Sequence, residues 1–503
     1  MNLKRNIPLF IFVFIFLITP AMYQAALGIG IHNAPYYAFA FALTSLFLAS
    51  PPILMRVLIV FYGIATGLQL INLYHLGYEI YPEQIEGFID SPRLAIGIGK
   101  EALSLAAIGI LFSCISVTAY VATRHCSTSP VSYYLISFLV ATLALISLTE
   151  VYRDRQLPGP FAIISGTLGY YFPHVTRKSA IEKDWPTESP TVKYSNIYFL
   201  LGESISGESK IVLQDDLLDF SDLPGNQISF NDVTSLATFT SKSFLSLFVG
   251  GTFKGPIKEL PTIPMFAKAA GYEVTFASSR NLKWANLELH IRQGTDHIVD
   301  SRTLKGIDIT THQQLHPSQA PRLDSHDDKD VMRKMAYPVL AKNNQFMIWF
   351  MDSAHAPYED ARMIKGDRSD YFSAVHYWSE NVKTFAKKMP ENSLLIVTAD
   401  HGALHTDKTL RVPLVIYSTH PEDTFQSPEL QKNTARLANH SDLRQTLVGM
   451  IGYSADIVGY DLNSELIPVA RERTYVDPRG DRIVDLGSPE SVINAITKQW
   501  PAK

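Results

Sequence analysis

The chain of 503 residues is 47% hydrophobic and carries a net charge of -4. That length exceeds one ordinary domain, and the near-neutral balance offers no basic surface for a nucleic-acid partner. The two cysteines, Cys114 and Cys126, both lie early in the chain, which excludes a disulfide framework or a cysteine-rich metal site in the remainder.

Charged residues are sparse in the first 150 positions, where apolar runs cover about 7–27, 35–49, 53–71, 102–122 and 131–148. A helix that crosses the hydrocarbon core needs roughly 20 residues. Four runs approach that length and the second can be extended by its flanks, so the sequence predicts five membrane helices in a domain spanning 1–150. With the N-terminus inside, the inner loops carry Lys4, Arg5, Arg56 and Arg124, whereas the outer ones carry Glu79, Glu83, Glu86, Asp90 and Glu101 against Arg93 and Lys100. This satisfies the positive-inside rule and places everything after Glu150 on the outer face. The loop 72–100 mixes Tyr74, Tyr78 and Tyr81 with acids. It reads as an interfacial surface helix, or as a lid that contacts lipid headgroups.

Residues 151–193 form a linker. Its first half holds Leu157-Pro158-Gly159-Pro160 and Tyr170-Tyr171-Phe172-Pro173, and it then becomes charged and proline-broken through Glu182-Lys183-Asp184-Trp185-Pro186. That pattern suits an interfacial segment followed by a connector. From 194 to 503 apolar strand runs alternate with amphipathic helical segments. Strands are predicted at 196–201, 272–278, 346–350, 394–398 and 412–417, and helices at 260–270, 327–341, 371–387 and 441–452, the last capped by Ser441. The alternation predicts an α/β domain with a mostly parallel central sheet. No phosphate-binding glycine loop and no dinucleotide fingerprint occurs.

Three of the strand runs end in chemistry. Residues 196–201 run into Gly202-Glu203-Ser204, 346–350 into Met351-Asp352-Ser353-Ala354-His355, and 394–398 into Ala399-Asp400-His401-Gly402. Ligands of parallel sheets sit at the strand carboxyl ends, and carboxylate oxygens with imidazole nitrogens are usual zinc ligands. Glu203, His355, Asp400 and His401 are therefore candidates for one metal site. The hydroxyl-rich stretch 233–243 reads as a helix N-terminus, which is also a ready phosphate site. Elsewhere, the acids Asp324, Asp327, Asp328 and Asp330 read as a solvated helix start. Asp352 and the segment 477–481 read as turn chemistry. The other outer-domain histidines, His440 among them, read as surface or core residues.

These motifs resemble those of the membrane-bound phosphoethanolamine transferases that modify lipid A and related surface glycans, a branch of the alkaline phosphatase superfamily. The resemblance covers the whole chain: five membrane helices, an acid-containing outer loop after the third, a connector and an outer hydrolase-like domain. Leu200-Leu201-Gly202-Glu203-Ser204 is similar to the family's strand ending in Gly-Glu-Thr, Asp400-His401-Gly402 to its Asp-His-Gly, and Ser353-Ala354-His355-Ala356-Pro357 to its His-Gly-Pro turn. Aligning 233–243 with the family's hydroxyl-rich segment puts Thr240 at the nucleophile position, with Ser204 as the alternative.

The resemblance implies a sulfatase/alkaline-phosphatase-like domain whose zinc ion is held by Glu203, Thr240, Asp400 and His401, with a second zinc in some steps. It implies catalytic roles for Thr240, His355 and His405, with Asn281 and Lys283 near the phosphate. The reaction it implies moves phosphoethanolamine from phosphatidylethanolamine to lipid A or another envelope glycan through a phosphothreonine, in the periplasm of a bacterial inner membrane. The departures are Leu236 and Leu245 for the family's Cys and Pro, and Ala403-Leu404 for its Glu-Ser, with His405 as the nearest equivalent of a later histidine. A phosphoglycerol transferase using phosphatidylglycerol, and a membrane scaffold with a degenerate hydrolase domain, are the rival readings.

Overall fold

The computed structural model describes residues 185–209, 213, 217–238, 240–249, 261–280, 282, 287–304, 327–355, 371–403, 410–454, 459–477 and 480–483. The chain divides into two units, Met1–Arg177 and Lys178–Lys503, and every described residue belongs to the second. The five membrane helices and the loop 72–100 expected from the sequence lie outside the described residues. Among the described residues no helix is long and apolar enough to cross a membrane.

Eight strands form one sheet in the order β4-β3-β5-β1-β6-β7-β2-β8. They are β1 (Asn196–Gly202), β2 (Asn226–Thr234), β3 (Glu273–Ser278), β4 (His297–Val299), β5 (Gln345–Met351), β6 (Ser393–Ala399), β7 (Arg411–Ser418) and β8 (Ala438–Asn439). The pairings β1–β5, β1–β6, β3–β5, β3–β4 and β2–β8 are parallel, and only β7 runs against its neighbours β6 and β2. Every residue of β1, β5 and β6 is buried, which is why these runs are apolar on both faces rather than alternating. A separate antiparallel pair joins β9 (Thr474–Asp477) to β10 (Gly480–Ile483).

Helices cover both faces. Successive strand residues point to opposite sides: on β1 the Phe199 ring lies 6.1 Å from Phe248 of α1 (Thr240–Phe248), and the Tyr198 ring 5.3 Å from Phe385 of α2 (Tyr371–Ala386). On β5, Phe350 meets Phe244 of α1 at 6.1 Å and Trp349 meets Phe385 at 6.1 Å. The apolar ridge of α1 thus packs Phe244 and Phe248 against Phe276 of β3. Each such buried ring contributes roughly 1.5–3 kcal/mol. That packing seats the polar first turn of α1 at the sheet's carboxyl edge.

The helix predicted over 327–341 is a continuous run, Asp328–Leu340, with a π-helical stretch at Met332–Ala336. The last predicted helix is α3 (His440–Ile451), and its cap corrects the sequence reading. Asn439, not Ser441, is the N-cap: its side chain accepts from the Ser441 N–H at 2.9 Å and the Asp442 N–H at 3.3 Å. Asp442 reaches back to the Asn439 N–H at 2.8 Å, which completes a capping box.

Candidate metal and phosphoryl-transfer site

The register of the central strands brings three exits level. Gly202 pairs with Met351 on one side and Ala399 on the other. Past this point the ladder continues for one more rung, Glu203 N–H to the Met351 carbonyl at 2.9 Å and Asp400 N–H to the Gly202 carbonyl at 3.0 Å. Glu203, Asp352 and Asp400 therefore leave the sheet side by side.

Glu203, Asp400 and His401 are completely buried and offer one ligand atom each within 4.8 Å of one another. Thr240, the first residue of α1, projects its hydroxyl into the same space. Its Oγ1 donates to Glu203, 3.0 Å from both Oε1 and Oε2, and lies 3.2 Å from His401 Nε2. His401 Nε2 is 3.4 Å from Glu203 Oε1 and 3.5 Å from Asp400 Oδ2. Donor atoms held about 2.0–2.2 Å from a tetrahedral zinc lie roughly 3.4 Å apart, so these spacings fit that ion. Two further observations agree. Asp400 Oδ1 is fixed by the Ser204 and His401 N–H groups at 2.9 and 2.8 Å, while the buried Oδ2 has no hydrogen-bond partner. His401 Nδ1 donates to the Gly402 carbonyl at 2.7 Å, which in the neutral ring leaves the Nε2 lone pair turned toward the other donors.

The electrostatics describe the same demand for a cation. Burial raises the Glu203 carboxyl, but its hydrogen bond with His401 and the charges of Arg280, His401 and His355 outweigh that and hold it well below the usual range. Burial and the neighbouring Glu203 charge push Asp400 up to about 7. Burial lowers His401, but the two carboxylates outweigh it and lift the imidazole to about 9. A proton and a metal ion compete for such a ligand set.

Ser204 takes a left-handed backbone, φ 60°, costly for a residue with a Cβ. The conformation is held from three sides: its N–H binds Asp400, its hydroxyl donates to Glu203 Oε1 at 2.9 Å, and its carbonyl accepts from Tyr371 Oη at 3.1 Å. Ser204 thus buttresses Glu203 and Asp400, whereas Thr240 Oγ1 lies within reach of both Glu203 and His401.

Below the site, the Ser243 hydroxyl, one turn after Thr240, donates to the Asp400 carbonyl. His440 Nδ1 lies 3.2 Å from Ser243 Oγ, and His440 Nε2 donates to the Ala399 carbonyl at 3.1 Å. His440, read from the sequence as surface or core, is fully buried, and it couples α1 to the exit of β6.

His355 ends the turn after β5, its N–H donating to the Asp352 carbonyl at 3.0 Å. His405, Asn281 and Lys283 lie outside the described residues. Two residues at the site were not found from the sequence. Arg280, at the exit of β3, is 3.4 Å from Glu203 Oε2 and 3.3 Å from Asp352 Oδ1. The strand-end rule that found Glu203 could have found it. Asp352 accordingly serves an ion pair and not only a turn. Asp328, expected at a solvated helix start, is instead fully buried; its charged neighbours in the chain hid an inward-facing carboxylate.

Among solved structures, the integral-membrane lipooligosaccharide phosphoethanolamine transferase A (EptA) from Neisseria meningitidis is similar over 90% of this chain and 96% of its own, at 14% identity and a TM-score of 0.51. The C-terminal periplasmic domain of EcEptC from Escherichia coli, in complex with Zn, aligns over 60% of this chain and 95% of its own, at 16% identity and a TM-score of 0.46. The lipoteichoic acid synthase LtaP from Listeria monocytogenes aligns over 55% and 78%, at 16% and 0.40. At these identities the likeness is one of fold. No curated protein matches by sequence. Residues 195–453, just over half of the chain, match the sulfatase family, and the protein belongs to that family.

Proposed function

We propose that the protein is a zinc-dependent phosphoethanolamine transferase, anchored in a bacterial inner membrane by five helices within 1–150 and working in the periplasm through residues 194–503. The donor in this reading is phosphatidylethanolamine, and the acceptor a hydroxyl or phosphate of lipid A or another envelope glycan. One observation carries the reading: a threonine hydroxyl at a helix N-terminus lies 3.0–3.2 Å from Glu203 and His401, whose neighbour Asp400 keeps a buried Oδ2 without a hydrogen bond.

Glu203, Thr240, Asp400 and His401 would hold the zinc ion. When bound, zinc lowers the pKa of a hydroxyl and stabilises charge on phosphoryl oxygens. The chain's own groups then divide the work. The Thr240 hydroxyl already points its proton at the Glu203 carboxylate. Thr240 Oγ1 forms a bond to the donor phosphorus while the bond from phosphorus to the glycerol oxygen breaks. Diacylglycerol leaves with a proton, and phosphoethanolamine stays esterified to Thr240. An acceptor hydroxyl then attacks that phosphorus and frees Thr240. The first turn of α1 directs backbone N–H groups and the positive end of its dipole to the phosphate. His355 is suited to pass protons to the leaving oxygen or bind phosphoryl oxygens.

The test is intact-mass and peptide-mass analysis of the full-length protein incubated with phosphatidylethanolamine and, separately, with phosphatidylglycerol. A phosphoethanolamine adduct on Thr240 supports donor, nucleophile and reaction class together. A phosphoglycerol adduct overturns the substrate and keeps the mechanism. With zinc present, no adduct from either donor overturns the enzyme and favours the scaffold.

A further inference from the structure

We infer that Asp328 is a positioning residue for Arg280 and His355, an inference that rests on the phosphoryl-transfer reading above. Three aspartates fall within four positions of the chain, and each does something different. Asp327 caps the helix, accepting from the Lys329 N–H at 2.9 Å and from the Tyr377 hydroxyl. Asp330 pairs on the surface with Arg333. Only Asp328 turns inward, where it is fully buried.

Four donors that reach Asp328 come from two adjacent strand exits. Oδ1 accepts from the Ser279 hydroxyl after β3 and from the Asp352 N–H after β5 at 3.3 Å. Oδ2 accepts from the Ser353 N–H at 3.1 Å and from the Ser353 hydroxyl. With two donors on each carboxylate oxygen, these bonds offset the cost of burying the group. A neutral amide could not repeat the arrangement, because half of its polar surface donates.

The consequence lies one or two residues further along each exit. Arg280 follows Ser279, and its guanidinium spans Asp352 and Glu203 at 3.3 and 3.4 Å. His355 follows Ser353 by two residues and is held by the Asp352 carbonyl at 3.0 Å. A phosphoryl group at Thr240 would meet both. Asp328 touches neither the ligand atoms nor Thr240, so it acts through the geometry of the two exits.

The experiment is a double-mutant cycle on the full-length, zinc-loaded protein, with Asp328→Asn, Arg280→Gln and the pair. Inorganic phosphate is the probe, its affinity read by calorimetry, and zinc content and adduct formation from phosphatidylethanolamine are measured alongside. Asp328→Asn and Arg280→Gln are each expected to weaken phosphate binding at least fivefold, with zinc content unchanged. The pair should exceed Arg280→Gln alone by less than the loss of Asp328→Asn by itself, because part of the first change acts through the second residue and the rest through His355. Asp330→Asn should match the wild type. If Asp328→Asn fails to fold, Ser279→Ala with Ser353→Ala replaces it in the cycle, since it keeps the carboxylate and removes two donors. Additive losses, loss of zinc in step with phosphate, or phosphate binding unchanged by Asp328→Asn would each overturn the positioning role. Absence of any adduct in the wild type would overturn the transferase reading alone, because the phosphate cycle is read without turnover.

Discussion

Replacing Thr240 with alanine removes one oxygen and tests the site most directly. That oxygen is the hydroxyl donor shared by both Glu203 oxygens at 3.0 Å, and it lies 3.2 Å from His401 Nε2. Loss of a covalent nucleophile costs on the order of 10⁶ in turnover, so Thr240→Ala should form no adduct and show no transfer above background. Glu203 would lose one of its donors but keep the Ser204 hydroxyl and Arg280. The metal-free protein should therefore lose about 1.5–3 kcal/mol, the worth of a hydrogen bond to a charged group. Thr240→Ser keeps the oxygen and deletes one buried methyl, worth about 0.8 kcal/mol of stability, and should still form the adduct. The assay is intact mass after incubation with phosphatidylethanolamine, followed by peptide mapping. An adduct on Thr240→Ala at the wild-type level, or one mapped to Ser204, would refute the assignment of Thr240.

Two further outcomes follow from the packing and the buried charges. A Cβ at Gly202 would lie 2.7 Å from Ile205 Cγ1 and 2.8 Å from Trp378 Nε1, both enclosed. Gly202→Ala should cost about 1–3 kcal/mol by overpacking and lower zinc content by shifting Glu203. Gly271 has φ +88° and open space around it, so Gly271→Ala should cost about 1 kcal/mol from backbone strain alone and leave zinc unchanged; equal effects at the two glycines would contradict this. His440 is pushed down to about 3, first by burial and also by the charge of His401, against 6.5 in an unfolded chain. The unfolded chain thus takes up the proton first, and this contribution to stability is present above about pH 6.5 and lost as pH falls toward 3. The thermal midpoint of His440→Gln should fall less steeply over that range than that of the wild type, and parallel slopes would rule the contribution out.

The central strands were legible because their composition reports their environment. β1, β5 and β6 are buried on both faces, so their sequences are unbroken apolar runs, each within a residue or two of its predicted bounds. Edge elements carried no such signal. β2 is exposed on alternate positions and interrupted by a register shift, β8 has only two residues, and neither was expected. The cap of α3 was misread for a local reason: Asn439 and Ser441 are both good cap residues, and the choice depends on where β8 releases the chain.

The sequence by itself determined that Glu203, Asp400 and His401 stand at strand ends, because a parallel sheet exposes its carboxyl edge and apolar periodicity shows where that edge falls. Only the tertiary structure decided which hydroxyl joins them. Thr240 is 37 residues from Glu203 and 161 from His401, and it reaches them because Phe244 and Phe248 seat α1 against β3 and β5. The same holds for Asp328. In the chain it is one acid among several charged residues, and its burial is set by two strand exits that supply four donors at one point in space. Side-chain type and spacing report the periodicity of an element; where hydrogen-bond donors from distant elements converge depends on packing that no local window of sequence contains.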